Sequence, residues 1–421
     1  MKNFLIRGGK KLSGEVSIGG SKNASLPIIA ACLLSKEVST LTNVPDIDDI
    51  HRMIEILDRI GVKTSFVEGT LTIDPSQLKY QELPKDIVCH MRASILLAGP
   101  MLARFGEVDM GFPGGCVLGK RSVEAHIIGL EGLGAKTLED KTKIHLKAKN
   151  LQGNCVILPE FSVTATENVI MAAVLAEGET EIRIAAAEPH VIDLCNCLNS
   201  MGAKIEGVGS HTLNITGVTE LKGANYSVVS DYLEAGTFIL AGLVTGSDIT
   251  VKDFNPGDLD LFFQKLQEMG ANLEIGFDSC KVLPSPNLTA LNSQIKTAVH
   301  PGFPTDLLSP FTILLTQAEG VSKIFETLFD GRFSFLYELE KMGLKVEIMN
   351  SHQAIIIGKA KLKGTNVASC DIRAGAAMVL AALAAEGETL ITDIRYIDRG
   401  YQDMDKKLQA LGADIERVDI N

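Results

Sequence analysis

Two hydrophobic patterns alternate along the chain and keep step with each other. The first is a continuous apolar run, rich in alanine and leucine, over residues 24–36, 93–106, 166–178, 234–246, 306–320 and 372–387. A run that is apolar on every face predicts a buried helix, and the glycine ending five of the six copies predicts a left-handed C′ residue. The first copy ends on Lys36 instead. The second pattern is an amphipathic stretch that closes on a glycine turn, at Gly61, Gly134, Gly202, Gly270, Gly343 and Gly412, about every 70 residues. Short alternating segments, such as residues 181–184, follow the apolar runs and the glycine turns and read as strands. Each unit therefore predicts a buried helix, a strand, an amphipathic helix and one or two further strands. Six units make the chain.

A module with two helices and several strands is too large for a small solenoid repeat. Three modules around one core and three around another predict an α/β fold built of α+β modules. The expected form is two similar α/β domains of three modules each, with a cleft between them. The expected domains are residues 22–229, carrying the loop around Cys116, and residues 1–21 plus 230–421. The opening strand, Phe4 to Arg7, is expected to pair in the second of these beside the terminal strand at 415–420.

Composition narrows the class. With 46% hydrophobic and 22% charged residues, and no apolar run of transmembrane length or signal-peptide core, the chain reads as a soluble cytoplasmic protein that spans no membrane. The eight cysteines show neither disulfide nor zinc spacing, so reduced thiols and no metal are expected, with Cys195 and Cys197 as packing residues. A net charge of −12 and the absence of tryptophan argue against nucleic-acid binding. A local basic cluster in such a protein can still capture a small anion.

The candidate chemistry gathers at equivalent points of the modules. Gly111 to Arg121 is a glycine-rich loop in which Cys116 stands near Lys120 and Arg121, whose charge favours thiolate. The six helix starts carry Lys22 and Asn23, Arg92, Ser162 to Thr164, Asp231, Asp306, and Asp371 with Arg373. Capping accounts for Ser21, Ser162, Asp306 and Asp371. It does not account for Lys22, Arg92 and Arg373, because a cation at a helix N-terminus is unfavourable until an anion arrives. The loops before the amphipathic helices expose Arg121, Arg332 and Arg399, which could converge with Lys22 and Arg373 on one phosphate or carboxylate ligand.

These residues carry a resemblance. Ser-Lys-Asn-Ala at 21–24, Met-Arg-Ala-Ser at 91–94, Pro-Gly-Gly-Cys at 113–116, Phe-Pro-Thr-Asp at 303–306, Arg-Phe at 332–333 and Ile-Asp-Arg-Gly-Tyr at 397–401 resemble the enolpyruvyl transferases over the whole chain. Among them the sequence looks most like the enzymes acting on UDP-N-acetylglucosamine. The resemblance implies transfer of the enolpyruvyl group of phosphoenolpyruvate to the 3′-hydroxyl of UDP-N-acetylglucosamine with release of phosphate, in peptidoglycan precursor synthesis. It implies two similar domains, each of three repeated βαβαββ-like units in an inside-out α/β barrel, with the active site in the inter-domain cleft, and it implies no cofactor and no macromolecular partner, with a monomer favoured. By resemblance Cys116 is the acid and Asp306 the base, Lys22 is the third catalytic residue, and Lys22, Arg121 and Arg399 bind phosphoenolpyruvate. Asn23 serves the reacting sugar region, while Arg92, Arg332 and Arg373 shape the cleft. Ser122, Val123, Glu124, Ala125, Ser162, Val163, Thr164 and Leu328 complete the sugar-nucleotide contacts. The family pattern has Pro-(Val/Ile)-Asp where Ser122 to Glu124 stand, and glycine where Thr164 stands. The alternatives are the shikimate-pathway enolpyruvyl transferases, which are not expected to share the cysteine loop, and a catalytically silent sugar-nucleotide-binding paralogue.

Overall fold

A computed structural model describes residues 2–114, 122–138 and 142–419. Among these, residues 2–19 and 230–419 form one compact unit and residues 20–229 another. Gly20 and Ser21 fold with the latter. The Ser21 N–H donates to Val229 O at 2.8 Å, and the Ser21 hydroxyl caps the helix Lys22–Ala31 by accepting from Ala24 N.

One module shows the repeat in full. Strand Cys155–Ile157, helix Val163–Ala173, strand Glu179–Arg183, helix Pro189–Ser200 and strands Lys204–Glu206 and Thr212–Thr216 follow in order. The first two strands pair in parallel across their crossover helix, with Val156 opposite Ile182, and the remaining pairings are antiparallel. This is the expected βαβαββ unit. Four other sheets repeat the four-stranded order; the sheet holding Glu107–Gly111 has three strands among the described residues.

Distant segments complete modules that the local chain leaves short. Asn225–Ser227 lies parallel to Ser39–Thr42, and Ser13–Ser17 parallel to Asp248–Lys252. Lys2–Arg7 inserts between Glu388–Thr392 and Asp414–Asp419, antiparallel to both, with Ile6 opposite Thr389 and Ile415. The opening strand therefore pairs beside the terminal strand, as expected.

The uniformly apolar runs become the core. All residues of helix Tyr232–Val244 are buried, and this helix packs against Thr305–Gln317 and Ile372–Ala384. In the other unit Lys22–Ala31 continues as a 3-10 turn, Cys32–Leu34, while Ala98–Phe105 is preceded by one, Arg92–Leu97, and packs on Val163–Ala173. The glycine expectation holds in part. Gly106 (φ 71°) caps its helix and Gly246 (φ 61°) follows the C-cap Thr245. The helices before Gly178, Gly320 and Gly387 instead stop at Ala173, Gln317 and Ala384, and the glycine, at φ 94°, 113° and 92°, turns the chain into the next strand. The glycines that close the six amphipathic helices all stand at φ between 84° and 103°, a conformation in which any Cβ is strained.

Candidate active site

The candidate residues fall into two clusters, one in each unit. Cys116 and Arg121 lie outside the described residues.

In the 20–229 unit, Lys22 and Asn23 open the helix capped by Ser21. Lys22 Nζ stands 3.8 Å from Asp49 Oδ2, and both side chains are largely buried, 13% and 5% exposed. This acidic neighbour at the entrance of helix Asp48–Arg59 balances a cation that capping alone left unexplained. The sequence signal for it was the acidic cluster Asp46, Asp48 and Asp49. Arg92 begins the 3-10 turn and donates from Nη2 to Ser122 O at 2.8 Å, while Ser122 Oγ accepts from Glu124 N at 2.9 Å. Val123 takes the N-cap position of helix Glu124–Gly132, and Ala125 turns into the core. Ser162 holds the N-cap position of Val163–Ala173, but its hydroxyl makes no capping bond; its carbonyl accepts from Thr166 N and Oγ1.

Thr164 is joined to this cluster by a residue that sequence reading passed over. His126 Nε2 and Thr164 Oγ1 lie 2.9 Å apart, and the imidazole is 3% exposed. Burial, reinforced by Arg92, pushes the His126 pKa down to about 3 from an ordinary 6.5. The unfolded chain therefore binds a proton that the folded one refuses between those values, so stability is full above pH 6.5 and falls as the pH drops towards 3. Unfolding free energy should decrease by about 2 kcal/mol from this group between pH 7 and pH 5. His126→Gln should remove that part of the slope in urea titrations; an unchanged slope would exclude the assignment.

In the other unit, the carboxylate of Asp306 is held between two arginines. Arg332 Nη2 donates to Oδ1 at 2.8 Å and Arg373 Nε to Oδ2 at 3.1 Å. The arginine side chains are 1% and 4% exposed, the aspartate 29%. Two expectations change here. Asp306 is not the N-cap of helix Thr305–Gln317, a position taken by Pro304, so its carboxylate is available to the guanidinium groups. Arg332 is not exposed, because the turn before helix Ser334–Lys341 folds it inward over the Phe329 ring, 5.2 Å from the centroid.

Asp371 caps helix Ile372–Ala384 by accepting from Arg373 N and Ala374 N. Arg373 then spans from Asp306 to a buried hydroxyl relay. Its Nη1 donates to Tyr401 Oη at 2.9 Å, Tyr401 Oη lies 3.0 Å from Thr237 Oγ1, and Thr237 Oγ1 donates to Leu233 O. Because arginine only donates and Thr237 gives its proton to Leu233, the tyrosine hydroxyl donates to Thr237. Burial alone would lower the Arg373 pKa, but Tyr401, Asp306 and Asp231 outweigh it, so the shift is upward and the charge is fixed. Thr237 had only a weak sequence signal, since an apolar stretch hides a hydroxyl whose partner is distant, and Tyr401 stood in the 397–401 motif with nothing local to name its partners. Arg399 is the C-cap of the short helix Arg395–Asp398, and Arg417 holds Asp398 through bonds of 2.9 and 2.7 Å. Leu328 is 41% exposed, beside the buried Glu326.

The family model described as EPSP synthase (3-phosphoshikimate 1-carboxyvinyltransferase) matches residues 6–408. UDP-N-acetylglucosamine 1-carboxyvinyltransferase 3 of Caldanaerobacter subterraneus subsp. tengcongensis is 45% identical, covering 99% of this chain and 100% of its own. UDP-N-acetylglucosamine 1-carboxyvinyltransferase of Idiomarina loihiensis is 46% identical with the same coverage. Among solved structures, the enolpyruvyl transferase NikO from Streptomyces tendae superposes with a TM-score of 0.87 at 25% identity, covering 99% of each chain. EPSP synthase from Acinetobacter baumannii shares the fold, with a TM-score of 0.77 at 21% identity over 100% of each chain. Full-length identity to the two curated relatives, on a fold shared with solved enolpyruvyl transferases, shows that the chain belongs to the EPSP synthase family of enolpyruvyl transferases, among the UDP-N-acetylglucosamine 1-carboxyvinyltransferases.

Proposed function

We propose that the protein transfers the enolpyruvyl group of phosphoenolpyruvate to the 3′-hydroxyl of UDP-N-acetylglucosamine and releases phosphate. The observation that carries this reading is the Asp306 carboxylate, oriented by two buried arginines at a helix start, within a chain whose full-length relatives bear that activity in their names. Asp306 takes the hydroxyl proton as the sugar oxygen attacks C2 of phosphoenolpyruvate, and Cys116 gives a proton to the methylene carbon. The tetrahedral adduct then loses a methyl proton and phosphate, which restores the double bond. Lys22, Arg121 and Arg399 carry the phosphate and carboxylate charge. Asn23 serves the reacting sugar region, and Arg92, the 122–125 segment, the 162–164 segment and Leu328 hold the sugar nucleotide. Arg332 and Arg373 act through Asp306. On this reading the product is a peptidoglycan precursor made in the cytoplasm.

Phosphate release measured with phosphoenolpyruvate and either UDP-N-acetylglucosamine or shikimate 3-phosphate tests this. Release is expected with the sugar nucleotide alone. Release with shikimate 3-phosphate would transfer the reading to the shikimate branch, and release with neither would leave a silent paralogue.

A further inference from the structure

The carboxylate of Glu326 is fully buried, at 0% exposure, directly after strand Gly320–Phe325. Burying a carboxylate costs several kcal/mol in desolvation unless hydrogen bonds offset it. Here four do. Oε1 accepts from Leu328 N at 2.7 Å, Phe329 N at 3.2 Å and Thr297 Oγ1 at 3.1 Å, and Oε2 accepts from Thr305 Oγ1 at 2.7 Å. Thr297 Oγ1 in turn accepts from Thr327 N at 2.9 Å, so three successive amides, 327 to 329, are anchored on this pair of side chains. The backbone of Glu326 is fixed as well, its N–H donating to His352 O and its carbonyl lying 2.7 Å from His352 Nδ1.

The two oxygens reach different parts of the candidate site. Through Oε2 the carboxylate grips Thr305, the first residue of the helix that presents Asp306 in its next position. Through Oε1 it fixes the backbone of the exposed Leu328 and of Phe329, whose ring lies against the Arg332 guanidinium. Arg332 closes the circuit by donating to Asp306. An apolar side chain of equal size would fill the same space without the desolvation cost, but it could not tie Thr305, Leu328 and Phe329 to one point.

We propose that Glu326 is a positioning residue for enolpyruvyl transfer, its Oε2 setting the proton-accepting carboxylate of Asp306 and its Oε1 setting the Leu328 segment that receives the sugar nucleotide. The proposal rests on the function proposed above. The two arms separate in kinetics. Removing the Oε2 arm with Thr305→Val should lower kcat roughly tenfold while KM for UDP-N-acetylglucosamine stays within about twofold, because a misaligned base harms the transition state more than binding. Thr305→Ser, which keeps the hydroxyl, should restore kcat. Removing the Thr297 support of Oε1 with Thr297→Val should raise KM for the sugar nucleotide roughly fivefold with a smaller effect on kcat.

The experiment measures steady-state phosphate release and thermal unfolding for the full-length wild type, Thr305→Val, Thr305→Ser and Thr297→Val, with Glu326→Gln as a fifth variant. These hydroxyl variants leave the buried carboxylate in place, so they remain informative if Glu326→Gln fails to fold. A kcat loss in Thr305→Val that serine rescues, with a KM effect in Thr297→Val, supports the proposal. Equal activity in Thr305→Val and wild type overturns it, as do kcat losses that serine does not rescue or that merely follow Tm. If the wild type uses shikimate 3-phosphate, the acceptor reading fails and the same split is read on that acceptor. A wild type inactive with both acceptors overturns this proposal together with the function.

Discussion

Asp306→Asn is expected to reduce turnover by roughly three orders of magnitude while UDP-N-acetylglucosamine still binds, a loss in the range that removing a positioned general base produces. The amide keeps the size of the side chain but cannot take the hydroxyl proton. The structure adds a second consequence. Arg332 and Arg373 each donate to a different oxygen of Asp306, and asparagine offers only one acceptor, so its NH2 group must face a guanidinium donor. The negative charge near the start of helix Thr305–Gln317 is also lost. A stability decrease of roughly 1–2 kcal/mol should accompany the loss of activity, a modest figure because the carboxylate is 29% exposed and partly screened by water. Single-turnover kinetics, calorimetric titration with the sugar nucleotide and urea unfolding measure the three parts. More than a tenth of wild-type turnover in Asp306→Asn would remove Asp306 from the role of base.

Cys116 should be the first of the eight cysteines to react with a small epoxide bearing a phosphonate. The cations proposed to hold phosphoenolpyruvate would hold the phosphonate, and the thiolate would open the epoxide, a C–S bond forming as C–O breaks and the oxygen takes up a proton. The remaining cysteines sharpen the expectation. Burial pushes the thiols of Cys32, Cys195 and Cys280 up to about 12 and that of Cys370 up to about 11. Cys197 is raised in the same way. Cys155, which is exposed, and Cys89, which is half-buried, are the natural competitors, and Cys155→Ser and Cys89→Ser should each leave labelling unchanged. UDP-N-acetylglucosamine should speed the reaction, and phosphoenolpyruvate should slow it by occupying the same cations. Cys116→Asp should retain turnover, since a carboxylic acid can still donate a proton, and should lose covalent inactivation. Peptide mass spectrometry locates the adduct; inactivation with Cys116 unmodified would overturn the assignment.

Much of the architecture follows from the sequence because its causes are local. Uniformly apolar runs can only be buried, so residues 234–246 and 372–387 announced core helices, and the glycine turns at Gly61 through Gly412 each mark a backbone that favours residues without Cβ. The motifs around Lys22, Asp306, Arg373 and Arg399 were equally legible, as they depend on residue type at a helix end or loop. Tertiary structure decided what those side chains meet. A free arginine in a loop reads as exposed, yet Arg332 folds inward because Asp306 and the Phe329 ring supply a charge partner and a face for it. An aspartate at a helix start reads as a cap, yet Pro304 takes that position and the carboxylate answers two guanidinium groups that are distant in sequence. Glu326, His126 and Thr237 gave little warning, because a polar residue inside an apolar pattern shows its purpose only when a partner arrives from another module. A hydrogen bond is set by geometry within about 3 Å, and the pattern of one strand or helix carries no information about which distant donor will fill it.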